Sequence, residues 1–231
     1  MKMIKRILAG LGIGLAASTV ASAADSYSPY KESHVNFLYN LLFCDDISLF
    51  KYDSASKTDA LWATILAEKP DIPALETIAS SLEEESRVRV LAYNRLRASG
   101  HAVTPKVLLG VIVEVPMEQG LDTLAAYSDG RVRYLNQSGK VAVFEGGAPK
   151  VEVLAKELIK ASQGLLNSIG PWKEKRLPPP PANTVRITFL VSDGLYFGQG
   201  PFQALQQDAI GGPILSKAAQ LLQAAVDAGL K

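Results

Sequence analysis

The run "KVLLGVIVEV", residues 106–115, constrains this chain more than any other stretch. Its aliphatic residues follow one another almost without interruption, and Val107, Val111, Ile112, Val113 and Val115 are β-branched. A strand with one wet face would alternate apolar and polar residues, so this one is expected to be buried on both faces. Three shorter runs follow, "LDTLAAYS", "RVRYLNQ" and "KVAVFE". Asp129-Gly130 and Ser138-Gly139 separate them, with the residues that tight hairpin turns favour. Further on, "TVRITFLVSDGLYFGQG" supplies two more strands around a second Ser-Asp-Gly. In it Val185, Ile187, Phe189 and Val191 alternate with Arg186, Thr188 and Leu190, and Asp193-Gly194 turns the chain.

Elsewhere the period is helical. Ser28-Pro29 reads as a helix start, followed by Val35, Phe37, Leu38, Leu41 and Leu42. Asp45-Asp46, Thr58-Asp59 and Asp71 with Pro73 open three more helices. Ser81 with Glu84 has capping-box spacing ahead of a longer helix ending at Gly100. Its Arg87, Arg89, Arg95 and Arg97 follow Glu83, Glu84 and Glu85, a charge order that suits the helix dipole. Val151, Leu154, Leu158, Leu165 and Ile169 line a further helix, closed by Gly170-Pro171. "RLPPPPAN" is a stiff connector, and Ile214 to Val226 form the stripe of a C-terminal helix.

Hairpin-linked strands with helices before and after them predict α+β and not alternating βαβ. The expected architecture is a helical N-terminal part packed on an antiparallel or mixed sheet of about five to six strands with two covering helices. Residues 24–103 would be the helical region and 104–231 the sheet region, as one domain or two.

The first residues have the three parts of a secretory signal. Lys2, Lys5 and Arg6 precede an apolar stretch from Ile7 to Val20, and Ala21-Ser22-Ala23 fits the cleavage rule. Residues 1–23 are expected to be cleaved after Ala23, which places the product in the periplasm or outside a bacterial cell. Without those three cations the balance becomes 21 basic against 23 acidic residues. So near-neutral a chain lacks the field that nucleic-acid binding draws on. No second apolar run is long enough to span a bilayer. One cysteine, Cys44, excludes an internal disulfide, so the fold must rest on its core.

Motifs narrow the chemistry further. His34 and His101 are the only histidines and fall in different segments, so neither the spacing nor the ligand count calls for zinc. No cofactor fingerprint is present: Gly198 and Gly200 would need a third glycine where Gln203 stands. No nucleophile-elbow pentapeptide occurs. "SLFK" and "SASK" satisfy Ser-x-x-Lys, so Ser48 with Lys51, or Ser54 with Lys57, could pair a hydroxyl with a base. Gly198-Gln199-Gly200 follows a strand and precedes "PFQALQQDA". Together with Tyr196, it is the candidate ligand-binding loop. The resulting expectation is a non-catalytic module of the bacterial cell envelope that binds a protein or small molecule. An exported serine hydrolase with a Ser-x-x-Lys dyad, and a structural component of envelope assembly, are the alternatives.

Overall fold

A computed structural model describes residues 26–51 and 59–229. The expected signal segment, Ser54 and Lys57 lie outside the described residues. Five elements precede the sheet: α1 (Ser33–Leu42), a 3-10 turn (Ile47–Lys51), α2 (Ala60–Leu66), α3 (Ile72–Ser80) and α4 (Ser86–Ala98). Then come β1 (Leu108–Met117), β2 (Gly120–Tyr127), β3 (Val132–Leu135), β4 (Val141–Phe144) and α5 (Pro149–Ser162). A second 3-10 turn (Gln163–Asn167), β5 (Thr184–Val191), β6 (Gly194–Pro201), α6 (Phe202–Gln207) and α7 (Gly211–Gly229) complete the chain. The six strands form one sheet in the order β4-β3-β2-β1-β5-β6, and every pairing is antiparallel. The α+β expectation holds.

The aliphatic run 106–115 becomes β1, at the middle of the sheet. Its residues serve two cores. Val111 and Val113 join Leu124, Ile187 and Phe189 beneath α5 and α7, where Leu158, Ile214 and Leu221 meet them. Leu109 and Ile112 face the other way, with Ala125, Tyr127 and Leu190, against Val35, Tyr39, Ile65, Leu75 and Leu91 of α1–α4. Each fully buried aliphatic side chain contributes about 1.5–3 kcal/mol of transfer free energy. A strand shared by two such cores can afford few polar positions. At Gly110 a side chain would be crowded, since a Cβ there would lie 3.0 Å from Leu190 Cδ1 and 3.1 Å from Tyr127 Cδ1. The register of β1 against β5 also shifts between Leu108 and Gly110.

Local signals worked where the cap lay within the helix's own sequence. Asp59 accepts from Leu61 N–H and Asp71 from Ala74 N–H. They failed at two other starts. α1 begins at Ser33, not beside Ser28-Pro29, and α4 begins at Ser86, beyond the Ser81–Glu84 spacing. Gly170-Pro171 also closes a broken element, because α5 gives way to the 3-10 turn at Gln163. Among the described residues, no helix is long and apolar enough to cross a membrane.

Candidate functional site

Both Ser-Asp-Gly segments form hairpin turns, the first between β2 and β3 and the second between β5 and β6. Gly130 carries the positive φ of the first, +88°. These turns also fasten α4 across one end of the sheet. At its N-terminus, Asp129 Oδ2 accepts from Ser86 N–H at 2.8 Å, and the Ser86 and Ser128 hydroxyls meet at 2.8 Å. Near its C-terminus, Arg97 Nη1 donates to the Ser192 carbonyl at 2.6 Å. Three strand spacings, about 14 Å, separate the two turns. A helix of 13 residues, about 20 Å long, spans that gap.

The expected loop at Gly198-Gln199-Gly200 is strand. It forms the second half of β6, with Gly198 opposite Ile187, Gln199 opposite Arg186 and Gly200 opposite Val185. The glycines misled because no charge or bulky side chain announces an edge strand. Tyr196 is buried in the core under α5 and α7, and its hydroxyl donates to Asp193 Oδ2 at 2.8 Å. Gln199 Oε1 accepts from Arg186 Nε and Nη2 at 3.0 Å each. The four candidate residues therefore share one strand, β6.

β6 is the last strand of the sheet. The Leu195 carbonyl accepts from Trp172 N–H at 2.7 Å, which shows that it points away from β5. Antiparallel alternation turns the backbone groups of Phe197 and Gln199 the same way. No Lys, Arg, Asp or Glu occurs in β6, whose sequence is GLYFGQGP. A Cβ at Gly198 would meet no atom within 4 Å. Edge strands are ordinarily blunted by charges, bulges or covering elements. Here the cover is Trp172, set edge-on to the Phe197 ring with centroids 5.1 Å apart.

Trp172 begins a strap, residues 171–183, that crosses to the face carrying α1–α4. Beneath it lies a buried polar seam. Arg186 Nη1 donates to the carbonyls of Leu177 (3.3 Å) and Pro178 (2.6 Å). Glu114, on β1, is 1% exposed and accepts from the Tyr39 hydroxyl at 2.6 Å. Its other oxygen is 3.9 Å from Arg186 Nη1. Burial pushes the Glu114 carboxyl above its ordinary value, although the Tyr39 hydrogen bond and the two neighbouring arginines, Arg186 and Arg176, act against the shift.

Folding thus favours the protonated form of Glu114. The stability this group contributes is fully present below the free value of 4.5, and is lost as pH rises through the raised one. Glu114→Gln keeps an acceptor for Tyr39 and removes the titration. Between pH 4.5 and 8, its urea midpoint should fall less with pH than that of the wild type. Parallel curves for the two proteins would contradict the assignment.

The Ser-x-x-Lys expectation finds no dyad geometry among the described residues. Ser48 Oγ donates to Asp46 Oδ1 at 2.6 Å and its N–H to the same oxygen at 2.8 Å, which closes the 3-10 turn. Lys51 is exposed at the end of that turn. No group of three or more His, Cys, Asp or Glu residues among the described residues could hold a metal; His34 is exposed on α1 and His101 in the loop after α4. The thiol of Cys44 is buried and pushed up to about 12 by that burial, so it stays protonated at neutral pH. The seam formed by Glu114, Tyr39, Arg176 and Arg186 escaped the sequence reading. A carboxylate inside an aliphatic strand, "VIVEV", was its one visible signal. The chain matches no protein-family model and no curated protein.

Proposed function

We propose that this chain is an exported, non-catalytic protein-binding module of the cell envelope, which takes an extended segment of its partner alongside β6. The observation that carries this reading is an eight-residue edge strand without charge, whose Phe197 and Gln199 backbone groups face outward. An extended partner backbone satisfies such groups, and side chains on alternate positions then give selectivity. The open space over Gly198 leaves room for those side chains. The basic, apolar and small-residue order of residues 1–23 supports export.

A photo-cross-linking side chain at position 198 provides the test. It should yield one discrete adduct with another envelope protein when the full chain is expressed with its leader. The same group at Leu82, an isolated side chain 83% exposed outside α3, should yield none. Equal adducts from both positions, or none from position 198, would sink the reading. Gly198→Lys places a charge on the edge without a collision, and should abolish the adduct formed by a cross-linker at position 199.

A further inference from the structure

Arg176 is buried more deeply than a strap needs for its fastening. Its guanidinium carbon lies 3.9 Å from the centre of the Phe43 ring, 5.0 Å from that of Tyr27 and 5.5 Å from that of Tyr39. Nε donates to Asp45 Oδ2 at 2.6 Å and Nη2 to Asn40 Oδ1 at 2.9 Å. Three rings, a carboxylate and an amide oxygen around a planar cation are the components of guanidinium recognition. The fit is incomplete. The Arg176 side chain is 8% exposed, yet Nη1 is buried with no hydrogen-bond partner among the described residues. A buried donor left unmade works against holding this arginine in place.

Apart from the Tyr27 hydroxyl, which donates to the Arg176 carbonyl at 2.6 Å, the walls of this cage are braced from outside the strap. Asn40 Nδ2 donates to the carbonyls of Tyr27 and Asn36, and Asn40 Oδ1 accepts from Tyr27 N–H. The Tyr39 hydroxyl is held by Glu114, and the Tyr39 and Phe43 rings pack edge to face at 5.3 Å. The strap, in contrast, contains no helix or paired strand beyond the bridge at Trp172, and its residues 171–175 are exposed. A largely preformed receptor is therefore filled by a residue on an irregular segment, whose own ties include the bonds of Trp172, Leu177 and Pro178 and the Tyr27 hydroxyl bond to the Arg176 carbonyl.

We propose that the cage of Tyr27, Tyr39, Phe43, Asn40 and Asp45 is a binding site for an alkylguanidinium group brought from outside, with Arg176 as the internal competitor that keeps it closed. An incoming group binds the fraction of molecules whose strap has lifted, so its apparent affinity is reduced by that fraction. The site is separate from the β6 edge, and Gly198→Lys should leave it intact.

Two probes test the proposal on the full chain: ethylguanidinium, and a peptide with the strap's own sequence, KEKRLPPPP, residues 173–181. Wild-type protein should bind saturably, with shifts in the ring resonances of Tyr39 and Phe43. Arg176→Ala should bind at least about 10-fold tighter by removing the competitor, and Phe43→Leu should bind neither probe. A peptide much tighter than ethylguanidinium identifies a partner segment as the source, and equal affinities identify a small guanidino compound. Saturable binding to Arg176→Ala with none to the wild type would overturn the proposal and leave Arg176 a permanent plug. Absence of binding to both would overturn it too. If Arg176→Ala fails to fold by circular dichroism, the wild-type titration against Phe43→Leu decides alone.

Discussion

Arg87→Ala is expected to destabilise the protein by about 3–5 kcal/mol, the usual consequence of removing one member of a buried ion pair. Arg87 is 8% exposed, with Nη1 3.7 Å from Glu85 Oε1 and Nη2 3.4 Å from the Leu41 carbonyl. The Phe50 and Tyr127 rings flank its guanidinium at 5.7 and 5.9 Å. Because α1 has no basic residue in its last turn, its terminal carbonyls depend on other elements for donors. Arg87 serves Leu41, and the Tyr127 hydroxyl serves Leu42 at 3.0 Å. Alanine would leave the Glu85 carboxyl beside a void and remove one of the two donors to the Leu41 carbonyl, the other being the Cys44 thiol at 3.7 Å. Arg87→Met keeps most of the stem volume and should recover part of the loss. A urea titration in which Arg87→Ala costs less than about 1 kcal/mol would show that this buried pair does not hold α4 to α1.

That arginine marks where sequence reading stopped. Period and turn chemistry gave every strand from β1 to β6, because inward positions follow the pleat and Asp-Gly or Ser-Gly must turn the chain. The same local logic explained Arg87 and Arg89 by the helix dipole alone. In the fold both are buried, and Arg89 Nε donates to the Ala79 carbonyl at 2.9 Å. Arg95 reaches the Ala67 carbonyl and Arg97 that of Ser192. Four cations on α4 thus serve as long-range hydrogen-bond donors, a role that no spacing within the helix can reveal. Gly198-Gln199-Gly200 failed for a related reason. Glycine is a poor strand former by propensity, and only its pairing with Val185, Arg186 and Ile187 makes it one. The candidate binding features, the outer edge of β6 and the cage around Arg176, are both created by long-range contacts. Tyr27 and Arg176 are 149 positions apart, yet the Tyr27 hydroxyl donates to the Arg176 carbonyl.

The second large effect is expected at Asp129. Ser-Asp-Gly occurs twice as a hairpin turn, but the two aspartates have unequal duties. Asp129 Oδ2 accepts from Ser86 N–H, the first amide of α4, and from Arg131 Nη1 at 2.7 Å. Its Oδ1 accepts from Arg131 N–H at 3.0 Å. The carboxylate is therefore the N-terminal cap of α4, delivered from a turn 43 residues away, since Glu85 makes no side-chain cap bond. Losing a cap costs about 1 kcal/mol, and the favourable placement of an anion at a helix N-terminus adds a few tenths to 1. With the half-buried Arg131 pair included, Asp129→Ala should lose about 2–3 kcal/mol. Among the described residues the Asp193 carboxylate accepts one hydrogen bond, from the Tyr196 hydroxyl, so Asp193→Ala should lose about 1 kcal/mol. Urea titrations of both variants compare them, and hydrogen exchange at the first-turn amides of α4 should accelerate in Asp129→Ala alone. Equal losses, or unchanged exchange at Ser86 and Arg87, would mean that the first turn shapes only its own hairpin. Unequal losses would identify the same three letters as a simple turn in one place and as the clamp between sheet and helix layer in the other.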